Sequence, residues 1–106
     1  MTSPVSSILA VQKVLPAGAN VIITAAVGWR AIISGITFNN PAPLTVTVSL
    51  YKASTATSID VYTFTLAAGD VVADNNQYVL LPGDILTVTT SIGGTNFMMS
   101  GNYFKL

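Results

Sequence analysis

The 106-residue sequence contains no cysteine, no histidine and no glutamate. Without cysteine there is no disulfide staple, no thiolate nucleophile and no zinc ribbon. The usual nucleophilic triads are excluded too, and acid–base chemistry would fall to aspartate, tyrosine or lysine. Charge is scarce: 8% of residues, where a soluble domain typically carries about 25%. Lys13, Arg30, Lys52 and Lys105 balance Asp60, Asp70, Asp74 and Asp84 at a net charge of zero. Four scattered cations cannot neutralise a run of phosphates, so a nucleic-acid surface is not expected. Long apolar runs are missing as well. The stretch Tyr78–Leu81 (YVLL) is as long as any, whereas a spanning helix needs roughly 20 apolar residues. The opening MTSPVSSILAVQKV lacks the basic and apolar regions of a secretory signal.

Against these absences stands a hydrophobic content of 51%. A neutral, apolar chain of this kind would associate or precipitate as a free monomer. With no membrane segment to absorb the apolar surface, burial against other protein chains is the reading that fits.

Period-two alternation dominates. Leu44, Val46, Val48 and Leu50 share one face of LTVTVSLYKA, and Thr45, Thr47, Ser49 and Tyr51 the other. Tyr62, Phe64 and Leu66 oppose Thr63 and Thr65. Leu86, Val88 and Ile92 oppose Thr87, Thr89 and Ser91. The segments 20–27 and 29–40 are more uniformly apolar, which predicts strands covered on both faces. Gly, Pro, Asn and Asp punctuate the chain at LPAGAN, NNPAP, LAAGD, DNNQ, LPGD and IGGTN. The pattern predicts a single all-β domain, an antiparallel sandwich of about eight strands with jelly-roll-like topology. The expected strands are 7–14, 20–27, 29–39, 44–53, 58–67, 76–81, 84–92 and 95–105. Residues 1–6 read as an N-terminal arm and 7–106 as the domain.

No motif carries chemistry, so no catalytic residue, cofactor or metal is expected. The acidic stretch Gly69–Asn76 (GDVVADNN) offers hard oxygen donors suited to calcium, but Val71 and Val72 interrupt it, and turn carboxylates facing water account for it better. The aromatics Trp29, Tyr51, Tyr78 and Tyr103 are eligible as sugar platforms. Trp29, followed by Arg30 at the start of an apolar strand, fits an interface anchor better. Phe97, Met98 and Met99 are consecutive and must point to both faces of the last strand, leaving apolar area for a partner. Trp29, Arg30, Phe97, Met98, Met99 and Phe104 are therefore the candidate protein-interface residues. The threonine and serine faces lack the Lys and Glu a free domain would place there, which suggests that neighbours cover them.

The order LPAGANVIITAAVGWRAIISGITFNN, LTVTVSLYKA, TFTLAAGDVV, LLPGDILTVTTS and NFMMSGNYFKL resembles small virion proteins of tailed bacteriophages over residues 14–106. These are minimal β-sandwich subunits with similar PAG, AAGD and PGD turns. The resemblance implies a non-enzymatic capsid decoration (cement) protein, a homo-oligomer with a trimer favoured, bound to the major capsid protein in a virion assembled in the host cytoplasm. A tail, neck or head-fibre component is the alternative, and a carbohydrate- or surface-binding module a further one. Residues 1–8 would then form a clasping arm that adds a strand to a neighbour.

Overall fold

Threonine alternating with valine or leucine favours the pleated chain, because β-branched side chains pack well on a half-buried sheet. In the computed structural model, which describes residues 6–39 and 43–106, this patterning resolves into nine strands. They are β1 (Ser6–Leu15), β2 (Gly18–Thr24), β3 (Trp29–Asn39), β4 (Leu44–Lys52), β5 (Thr57–Leu66), β6 (Val71–Asp74), β7 (Tyr78–Leu80), β8 (Ile85–Thr90) and β9 (Thr95–Lys105). All pairings are antiparallel.

Sheet A runs β1-β9-β3-β6, with β7 also paired to β3; sheet B runs β2-β8-β4-β5. This is the jelly-roll order, once β6 and β7 are taken as one interrupted strand. The all-β sandwich is as expected, and most strand limits agree within two residues. Ser6 already pairs with Phe104 in β1, so it belongs to the sheet and not to an arm. The remainder of the expected arm, residues 1–5, lies outside the described residues.

The core lies between the sheets. Phe38 and Phe97 from sheet A are fully buried, with ring centroids 5.4 Å apart, and face Val46, Val48, Leu86 and Val88 of sheet B. Phe64 of β5 closes this cluster against Phe38, also at 5.4 Å.

Two expectations need correction. The strand expected at 76–81 is the shorter β7, and β6, a strand the sequence pattern did not predict, precedes it across residues 75–77. Both pair with β3, and their gap faces the irregularity between Ile33 and Gly35. The Asp74 carboxylate accepts the Asn76 N–H at 2.9 Å, a local turn that replaces ladder pairing. The second concerns segment 20–27, expected to be covered on both faces. β2 is instead an edge strand with a bulge between Val21 and Ile23, and Val21 is 59% exposed.

Candidate functional site

The LAAGD and LPGD stretches form the same turn. The Asp70 N–H donates to the Ala67 carbonyl at 3.1 Å and the Asp84 N–H to Leu81 at 2.9 Å. Each aspartate carboxylate accepts the N–H at the start of its turn, Ala67 at 2.9 Å and Leu81 at 3.0 Å. Gly69 and Gly83 both have positive φ, at 82° and 87°, the third position of a type II turn. Asp70 is exposed, as a turn carboxylate should be. Asp84 is not: it is 2% exposed and also binds the Ala53 N–H at 2.9 Å and Lys52 Nζ at 3.0 Å.

Asp74 is buried too, so of the two carboxylates in the acidic stretch only Asp70 is the solvated turn residue expected. Its carboxylate accepts the Tyr78 hydroxyl at 2.5 Å as well as the Asn76 N–H. Burial alone would raise its pKa, but these hydrogen bonds outweigh it and hold the group below the usual carboxylate range. Of the donors suggested for calcium, Asp70 caps one turn and Asp74 binds Tyr78. Among the described residues no three acidic side chains converge.

Burial, reinforced by Asp74, pushes the Tyr78 phenol up to about 12. The same causes raise Tyr62 further; its hydroxyl is buried and makes no hydrogen bond of acceptable geometry. Unfolded phenols ionise near pH 10, while the folded ones stay neutral. Stability is therefore expected to fall as pH rises from about 10 towards 12, and Tyr78→Phe to soften that fall, both read from thermal melts.

The candidate interface residues separate between the two faces of sheet A. Trp29 packs edge-on against Tyr103 with centroids 5.9 Å apart and planes at 88°. The Arg30 guanidinium lies 5.6 Å from the Phe104 ring centre, its partner across β3 and β9; its Nε is buried without a hydrogen-bond partner. Phe97 and Met99 are core residues, 0% and 3% exposed, and are withdrawn as interface candidates because strand alternation turns them inward. Met98 between them points outward and is 53% exposed.

The threonine faces come together as one surface. Strand register aligns Ala19, Thr89, Thr47 and Thr63 in one row across sheet B, and Val21, Thr87, Ser49 and Asp60 in the next. Thr47 and Thr63 hydroxyls are 3.1 Å apart, and the Ser49 hydroxyl donates to Asp60 at 2.8 Å. Charge on this face is confined to Asp60, on edge strand β5. On the outer face of sheet A, Val14, Met98, Val71 and Val79 are all more than 40% exposed. The exposed charges sit on edge strands, turns and strand ends: Lys13 on β1, Asp60 on β5, Asp70 in a turn and Lys105 closing β9. Lys13 pairs with the buried Phe97, so it is an inward-facing charge on an edge strand, a placement that discourages further strand pairing.

No protein-family model matches the chain, and no curated protein does. Solved structures do align with it. A protein of Bacillus endospore appendages, described as disulfide-linked pili, matches with a TM-score of 0.59 and 17% identity over 98% of this chain and 89% of its own. The Drosophila NLP core, described in terms of pentamer formation and histone binding, matches with a TM-score of 0.62 and 18% identity over 93% and 99%. The likeness is one of fold. An infectious bursal disease virus protein aligns at a TM-score of only 0.36 over 32% of its length.

Proposed function

We propose that this chain is a non-catalytic structural subunit that assembles with copies of itself, and that its setting is the virion of a tailed bacteriophage, as a capsid decoration protein. The observation that carries the reading is the distribution of charge. Both sheets present broad outer faces of Thr, Ser, Asn, Val and Met, while exposed charges are confined to edges, turns and strand ends. A domain surrounded only by water gains solubility from charged sheet faces; a subunit covered by neighbours gains from neutral ones, because burying charge is costly. The aligned appendage protein and NLP core are also described as forming assemblies, pili and a pentamer respectively.

In a shell, such a subunit would bridge neighbouring capsid proteins and add buried apolar area without needing electrostatic steering. Light scattering on purified protein should give a mass that is a multiple of 11.0 kDa at micromolar concentration. That mass should change little between low and high salt. A monomer would sink the assembly reading. Within a particle, a copy number comparable to that of the main shell subunit fits decoration, and a handful of copies fits a tail or neck part.

A further inference from the structure

The outer face of sheet A pairs a projection with a hollow. Met98 stands out from β9, 53% exposed, between Gln12 of β1 and Thr37 of β3, and the next row along carries Val14 and Val71, each 61% exposed. Beside Met98 lies a depression of about 480 Å³ lined by Ala10, Ser34, Gly35 and Ser100. The hollow exists because β3 bulges at Ser34 and Gly35 and because small side chains face it from β1 and β9. We propose that this face is a two-fold interface with a second copy of the chain, each Met98 seated in the other copy's hollow.

Three features select a second copy as the occupant. Met98 and Ser100 lie two residues apart on one strand, so a two-fold axis passing between them brings each Met98 over the other copy's Ser100. That is the self-complementarity an isologous contact requires. The rows that hold the projection and hollow (Val14, Asn96, Asn39, Val71; Gln12, Met98, Thr37, Ala73; Ala10, Ser100, Gly35) contain no charge. Stacking them on themselves buries no like charges, and they offer nothing to a charged partner. The area also suffices. About that two-fold axis the two copies share residues 95–103 of β9, so the overlapping face, four strands wide, measures roughly 19 Å by roughly 31 Å and stops short of Arg30 opposite Phe104. Counted on both partners this is roughly 1,200 Å², the lower end of specific protein–protein interfaces. Methionine suits the projection, since its unbranched chain adapts to an irregular hollow.

This inference rests on the self-association proposed above, and the test separates the two. Wild type, Met98→Asp, Ala10→Trp and Thr63→Asp would be compared by light scattering over a dilution series, with circular dichroism to confirm folding. Met98→Asp, which removes the projection, and Ala10→Trp, which fills the hollow from exposed β1, should each weaken association at least about 30-fold. Thr63→Asp, on the outer face of sheet B, should leave it unchanged. An oligomer indifferent to Met98→Asp and Ala10→Trp overturns this interface while self-association stands. A monomeric wild type overturns both. If Met98→Asp fails to fold, Ala10→Trp decides alone.

Discussion

Gly101→Ala is expected to prevent folding, or to cost more than about 4 kcal/mol, a loss reserved for a few drastic mechanisms. A Cβ on Gly101 would overlap the Ile32 carbonyl oxygen and lie 3.0 Å from both the Ile32 carbonyl carbon and the Ile33 Cα. All three atoms are backbone of β3, the strand paired with β9 at this point, so no rotamer change can relieve the clash. Relief would require the two central strands of sheet A to separate. Gly35 on the facing strand is the control. Its added Cβ would meet only the Ser100 hydroxyl, at 3.4 Å, and that hydroxyl can rotate. Gly35→Ala should therefore change stability by less than about 1 kcal/mol, and reduced backbone freedom in the unfolded chain could even make it favourable. Urea midpoints of both variants give the comparison. A Gly101→Ala protein that unfolds like wild type would refute the β3–β9 register.

Asp84→Ala should be the next most damaging change, at about 3 kcal/mol. It removes a carboxylate only 2% exposed that accepts from the Leu81 and Ala53 N–H groups and from Lys52 Nζ. Hydrogen bonds to a charged group are the costly ones to lose. The carboxylate ties its own turn to the β4–β5 turn through Ala53 and Lys52. The backbone on either side extends the tie to the β2–β3 connection, with Ala25 N–H donating to Asp84 at 2.9 Å and Gly83 N–H to Ala25 at 2.8 Å. Asp70→Ala removes the chemically identical cap from the exposed turn and should cost about 1 kcal/mol or less.

Acid titration sharpens the contrast. Burial would raise the Asp84 pKa, but hydrogen bonds from Ala53, Lys52 and Leu81 and the lysine charge hold it below the ordinary value. A carboxyl lowered by folding contributes stability above its unfolded pKa near 4, and that contribution disappears as pH falls through the folded value. Wild type should therefore lose stability below about pH 4. Asp84→Asn should start less stable at neutral pH and lose less on acidification. The limb that remains belongs partly to Asp74, lowered likewise. Equal acid limbs in wild type and Asp84→Asn would refute this role.

These two residues mark where the sequence stops being legible. Alternation along LTVTVSLYKA is local, so it identified Val46 and Val48 as core and Thr45 and Thr47 as outward. The LAAGD and LPGD turns could likewise be recognised from their residues, because a turn is closed within four of them. Whether its aspartate meets water is decided elsewhere: Asp84 is buried because the chain at Lys52 and Ala53, some 30 positions earlier, folds over it. Gly101 in SGNYF carries no signal of its own, since its requirement arises from the carbonyl of Ile32 across the sheet. The interface candidates divide for a simpler reason. Adjacent Phe97, Met98 and Met99 had to alternate, and register with Phe38 and Ile36 turned Phe97 and Met99 inward.

The position of β9 has a consequence for how the chain reaches this state. The last of the nine strands lies between β1 and β3, so sheet A has no centre until residues 95–105 have been synthesised. Sheet B waits similarly for β8, which joins β2 to β4. Nearly every contact is between residues distant in sequence, a topology associated with slow folding. During that wait the nascent chain displays valine- and threonine-rich segments with few charges to keep copies apart, the condition under which incomplete β proteins aggregate. The neutrality that suits a covered subunit thus makes its biogenesis a race between closing β9 into place and meeting another unfinished copy.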